Sequence, residues 1–175
     1  SLHDALPISG TFFGKANTNW LDLVTRNTYS DNATVAVQGG SAASRYYSSL
    51  AYNTTPGVVS GSDYQRISGK LNLENEIGGH LKFITNMDMG YVMQNITDGA
   101  YSQALRARPD YAPYDSAGNF TDFSQVGASY QGYQNPLALL TAVDKAKTFS
   151  LLGSVSGIYD FNPSLEFKST VSLNM

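Results

Sequence analysis

Residues 64–91 read YQRISGKLNLENEIGGHLKFITNMDMGY, and the period of this stretch decides the fold. Up to the turn, the odd positions carry Ile67, Gly69, Leu71 and Leu73, while the even ones carry Arg66, Ser68, Lys70, Asn72, Glu74 and Glu76. Beyond Gly78-Gly79 the odd positions carry Leu81, Phe83, Thr85, Met87, Met89 and Tyr91, and the even ones Lys82, Ile84, Asn86, Asp88 and Gly90. A period of two marks a strand with two different faces. Each run is about ten residues or longer, against roughly 5–6 for an ordinary strand. One face is apolar and the other bears full charges, the requirement for the wall of a transmembrane barrel.

The same pattern recurs along the chain. Strands are expected at residues 32–38, 45–52, 148–160 and 165–175, flanking the central pair. The run 148–160 is the least regular, because Leu152 and Ile158 fall on its polar side. Connections alternate in length. Residues 39–44, 77–79 and 160–164 are short and rich in Gly, Asn or Pro, the residues of tight turns. Residues 53–63 form a longer loop, and 95–147 one of about fifty residues, a length that in a compact domain is usually functional. Short turns on one side and long loops on the other are the habit of outer-membrane barrels. The expected fold class is therefore all-β: antiparallel up-and-down strands, about six of them, forming part of a large transmembrane β-barrel. The expected division is an N-terminal segment and outer loop at 1–31, then a partial barrel at 32–175 with its extracellular loop at 95–147. The spacing of Trp20, Leu23 and Val24 in the first part permits a short helical turn.

Composition agrees with a wall exposed to two media. Of 175 residues, 14% are charged and 42% hydrophobic, with 12 Tyr, a residue suited to half-buried strands and membrane interfaces. A net charge of −3 argues against nucleic acid as a partner. The absence of Cys rules out disulfides and thiolate metal sites. No apolar run of about 18 residues forms a transmembrane helix, and no secretory signal opens the chain. Residues 1–9 (SLHDALPIS) fit nothing downstream and are read as non-native. The chain reads as a piece cut at both ends, because about eight strands are the fewest that close such a barrel.

Five segments in order resemble the SusC/RagA family of TonB-dependent outer-membrane transporters. They are NTNWLDLVTR (17–26), TVAVQGGSAASRYYSSLAY (34–52), PGVVSGSDYQRISGKLNL (56–73), ALRARPDYAPYDSAGN (104–119) and NPLA (135–138). Thr55-Pro56 departs from the acidic or Gln residue common before the Gly, and Ala51 stands where Gly is common. The resemblance implies an importer in the outer membrane of a Bacteroidetes-type bacterium, with a barrel of about 22 strands around a plug. It implies a SusD-like surface lipoprotein as partner, a TonB complex acting through the plug, contact with outer-membrane lipid, and glycan or peptide oligomers as cargo. This chain would supply an early part of the barrel, with the plug and TonB box outside it. The alternative is a soluble or surface-exposed β-sandwich binding or adhesin module, which would bury Leu71, Leu73, Phe83 and Met87 against a second sheet.

Nothing in the sequence supports an enzyme. His3 and His80 are the only histidines, and His80 reads as a solvated turn residue. No catalytic, cofactor or metal residue is assigned, and no substrate-binding residue can be named. Asp98, Asp110, Asp115 and Asp122 lack the spacing of a Ca²⁺ loop. The loop aromatics Tyr101, Tyr111, Tyr114, Phe120, Phe123, Tyr130 and Tyr133 are expected to pack on one another first, to meet a partner second and cargo last. Arg66, Lys70, Glu74, Glu76, Lys82, Asp88, Glu166 and Lys168 are inward charges of mixed sign, suited to cross-strand pairing. The sequons at Asn32, Asn53, Asn95 and Asn119 imply no glycosylation in a bacterium.

Overall fold

A computed structural model describes residues 15–125 and 133–175 of the chain. It divides into two compact units, one of sheet and one of loops.

The sheet unit is a single six-stranded sheet in the order β1-β2-β3-β4-β5-β6, so every strand lies beside its sequence neighbour. The strands are β1 (Asp31–Gly40), β2 (Ser44–Pro56), β3 (Asp63–Ile77), β4 (Leu81–Thr97), β5 (Val143–Asn162) and β6 (Leu165–Asn174). Pairing is antiparallel in β1·β2, β2·β3 and β5·β6. The all-β, up-and-down reading therefore stands. Each strand has between 10 and 20 residues, and about 9–11 tilted residues cross a bilayer core.

The register sorts the side chains as the alternation requires. Val35 lies opposite Leu50, Leu50 opposite Gly69, Ser48 opposite Leu71, and Tyr46 opposite Leu73. At the far end Val155 meets Val171 and Tyr159 meets Phe167. These apolar side chains share one face, and no second sheet covers them among the described residues. Val35 is 75% exposed, Leu50 61% and Val171 73%. A sandwich would bury such a face, so the sandwich reading does not hold.

Several strands outrun their apolar alternation. β2 continues through Asn53, Thr54 and Thr55 to Pro56, each paired in turn with β3 as far as Asp63. β5 begins at Val143, ahead of the expected 148. The β2 extension is polar, so side-chain period does not reveal it; backbone pairing with β3 carries it. The loop expected at 53–63 consequently narrows to residues 57–62. The β3–β4 turn depends on glycine: Gly78 and Gly79 have φ of 63° and 72°, although a Cβ at either would meet nothing. Backbone conformation, not space, dictates both residues.

The loop unit gathers residues 57–62 and 95–144 with the segment before β1. The unit holds three short helices: α1 (Trp20–Val24), α2 (Ala100–Ala104) and α3 (Pro136–Leu139). Its core is Trp20, Val24, Ala104, Tyr111 and Phe123. No described helix is long and apolar enough to cross a membrane.

Candidate functional site

The polar face of the sheet carries the charges. Lys70 Nζ lies 3.3 Å from Asp88, and Lys82 Nζ lies 3.1 Å from Glu74, which also faces Arg45 at 3.8 Å. Opposite charges brought onto one face by the period of two pair across strands, as expected for four of the candidates, Lys70, Glu74, Lys82 and Asp88; Arg45 joins them. All are partly exposed, so each pair contributes at most about 1 kcal/mol. Arg66 is in none of these pairs. Its guanidinium lies over Gly90, with Nη2 3.8 Å from where a Cβ on Gly90 would stand. Glu76, Glu166 and Lys168 are exposed on the same side.

The loop unit is built from the sequence segments singled out above. Asn19 caps α1, its side-chain oxygen accepting from Asp22 N. Trp20 and Val24 turn inward, while Leu23 stays 41% exposed. Trp20 meets Phe123 edge-on at 5.5 Å, and Tyr111 packs on Phe123 at 5.6 Å. Polar groups around this core are joined across long sequence separations. Trp20 Nε1 donates to Arg108 O at 2.8 Å, and Thr18 Oγ1 to Tyr111 O at 2.7 Å. Arg108 forks onto Asp110, with Nε–Oδ1 at 2.8 Å and Nη2–Oδ2 at 2.5 Å, and lies 5.1 Å from the Tyr111 ring centre. Thus the run RPDY forms one packed turn.

The next residues form a hairpin tip. Asp115 Oδ1 accepts from Ala117 N at 2.9 Å and Asn119 N at 2.8 Å, with Gly118 at φ 83°. The Asn119 N–H foremost, then the Asn119 amide and the N–H groups of Ala117 and Gly118, hold the Asp115 carboxyl below its ordinary pKa, against a smaller opposing effect of burial. Tyr114 and Phe120 stack across the tip at 5.4 Å. Asn135 closes the unit. It is buried; its Oδ1 accepts from Leu137 N at 3.0 Å, capping α3, and its Nδ2 donates to Pro113 O at 2.9 Å and Thr121 O at 3.2 Å. Pro136, at the first turn of α3, is fully buried.

The sequence candidates fall into place accordingly. Tyr111 and Phe123 are core and Tyr133 packs against it, so self-packing holds for these three. Tyr101, Tyr114 and Phe120 remain exposed; Tyr130 lies outside the described residues, as do His3 and residues 1–9. The four aspartates do not converge: Asp110 serves Arg108, Asp115 its turn, Asp122 the N–H and hydroxyl of Ser124, and Asp98 is exposed. Among the described residues no three His, Cys, Asp or Glu side chains group as metal ligands. His80 is an exposed turn residue whose carbonyl accepts from Asp160 N at 2.8 Å. Asn135 and Thr18 fall in the segments NPLA and NTNWLDLVTR quoted above, but no structural role is read there for either; an Asn-Pro pair before a helical turn is the local signal for the first.

No family model matches the chain. Among curated proteins, it is 31% identical over 169 residues to TonB-dependent receptor P3 of Formosa agariphila, covering 90% of this chain and 16% of that protein. It is 31% identical over 191 aligned positions to TonB-dependent receptor SusC of Bacteroides thetaiotaomicron, covering 96% of this chain and 19% of that protein. The chain belongs to the SusC/RagA family of TonB-dependent receptors. Its fold agrees: the structure of the RagAB peptide transporter superposes with a TM-score of 0.71 at 18% identity, over 93% of this chain and 19% of that one. The chain spans less than one-fifth of the length of these SusC-like relatives.

Proposed function

We propose that this chain forms part of the barrel wall of a SusC-type active importer in the outer membrane. In this reading the importer takes up glycan or peptide oligomers with a SusD-like surface lipoprotein, and a TonB complex drives it through a part of the polypeptide outside this chain. The match to SusC over nearly the whole chain is the observation that carries the reading. The two-faced sheet supports it. The continuous apolar face of β1–β6 suits lipid, and the opposite face, with mixed and mutually paired charges, suits a hydrated interior. The wall has a scaffolding role and performs no chemistry. The loop unit would shape the outer mouth and offer the contact with the lid.

The test is uptake by cells in which the gene for the intact receptor is deleted and restored. Growth on oligosaccharides or oligopeptides as sole carbon source is expected to fail in the deletion strain and to return with the wild-type gene. Restored uptake should collapse when the proton-motive force is dissipated. Uptake that is indifferent to the proton-motive force would refute an energised importer.

A further inference from the structure

The polar face contains a cleft of about 430 Å³ between β2, β3, β4 and β5. Its charges come from Arg66, Lys70 and Asp88, and its hydroxyls include those of Tyr47, Ser49 and Ser68. Lys70 and Asp88 neutralise each other at 3.3 Å. Among the described residues lining the cleft, that leaves the guanidinium of Arg66 without a countercharge. Two small residues make the space. Gly90 is buried beneath the guanidinium, and a Cβ there would lie 2.7 Å from Ser150 Oγ. A side chain here would press on Ser150, so the bare backbone keeps this part of the cleft open beside Arg66.

We propose that this cleft is an anion site whose ligand is a carboxylate of a soluble molecule, held by the fork of Arg66 and by neighbouring hydroxyls. Arginine presents parallel N–H donors that match a carboxylate in two-point contact. The cleft's hydroxyls can donate to the same oxygens. Its volume falls within the range of small-molecule sites, roughly 300–1,000 Å³, and exceeds what one Asp or Glu side chain would fill. A dicarboxylate or the carboxylate end of an acidic oligomer fits both the charge and the room. The proposal rests on the polar face being open to water, as the importer reading requires. Equilibrium binding without energised transport tests it separately, so a failed uptake assay and a failed binding assay have different meanings.

The experiment uses the intact receptor, purified in detergent, with glutarate as probe and glutaramide as its neutral counterpart. Saturation-transfer NMR at low ionic strength reads the binding. Glutarate is expected to bind with a dissociation constant on the order of millimolar and glutaramide not to bind. Arg66→Gln should weaken glutarate at least about tenfold, as expected for loss of a charge-assisted hydrogen bond. Arg66→Lys, which keeps the charge without the fork, should fall between the two. Equal glutarate binding by wild type and Arg66→Gln overturns the proposal, as does no binding by either. A third result overturns it as well: no loss of binding together with a lowered melting temperature in Arg66→Gln. That would show Arg66 engaged by an acidic side chain from elsewhere in the polypeptide.

Discussion

Replacing Asn135 by Ala should loosen the loop unit far more than a single surface substitution. The side chain does three things at once in a buried position. Its Oδ1 caps α3, and its Nδ2 holds Pro113 O and Thr121 O. Loss of an N-cap costs about 1 kcal/mol. Each of the two Nδ2 hydrogen bonds lost adds about 1 kcal/mol, the usual net worth of one bond, since Pro113 O keeps the Thr121 N–H and water can reach both half-buried carbonyls. The sum is about 3 kcal/mol, or roughly a hundredfold in a local opening equilibrium. Hydrogen exchange with mass spectrometry on the intact receptor reads this directly. Amides of residues 111–123, including Thr121 N, which donates to Pro113 O at 3.0 Å, should exchange roughly a hundredfold faster. Those of the β1–β2 hairpin should not change. Asn135→Asp separates the two roles: it keeps the capping oxygen but sets a carboxylate against two carbonyls, so residues 111–123 should open at least as far. If Asn135→Ala accelerates only the amides of α3, the residue is a cap and nothing more, and the cross-linking role is refuted.

Two further outcomes follow from the faces and the tip. Leu50 and Ser49 are adjacent in β2 but face opposite sides, Leu50 paired with Val35 and Gly69, Ser49 with Ala36 and Lys70. Leu50→Arg should therefore cost about 2–4 kcal/mol near the bilayer midplane and deplete folded receptor in the outer membrane. Ser49→Arg should have little effect, and equal losses would contradict the assignment of the faces. At the hairpin tip, Asp115 has a folded pKa below its ordinary value, so its charged form is what the turn stabilises. That contribution is complete above the ordinary carboxylate value, about 3.9, and is lost as pH falls through the depressed one. A nitroxide at Ser116→Cys should gain mobility on acidification in the wild-type background. With Asp115→Asn it should already be mobile at neutral pH and respond little to acid; equal mobility of the two at neutral pH would show that the charge does not hold the turn.

The strands were legible because a sheet with one apolar and one polar face leaves an unbroken record in side-chain polarity. Val35, Leu50, Leu71 and Val155 appear on schedule, and Gly78-Gly79 punctuates the central hairpin. Strand ends were not legible, because Asn53, Thr54 and Thr55 keep pairing after the alternation has stopped. The irregular run in β5 has a local explanation. Ser156, between Leu152 and Ile158, is buried and shares a hydrogen bond of 2.8 Å with Thr170. The cleft at Arg66 could not be read at all. Its residues are scattered over β2 to β5, and only the register of four strands brings Tyr47, Arg66, Gly90 and Ser150 together. Single strands announce their faces, whereas sites on a sheet exist only across strands.

The loop unit follows a different logic. Fixing the backbone of one residue costs about 1–2 kcal/mol, so the described parts of the connection between β4 and β5 need a buried core to offset that cost. They share that core with other segments. Trp20 and Val24 come from the segment before β1, and the short β2–β3 connection is tied in by Ser60 N donating to Val24 O at 2.9 Å and by Ser62 Oγ sharing 2.7 Å with Thr97 Oγ1. The exposed Tyr114–Phe120 pair is thereby set on a turn whose backbone is already fixed by Asp115, Thr121 and Asn135. Whatever meets those two rings meets a preorganised surface, and the ordering cost has been offset in folding and not left to binding.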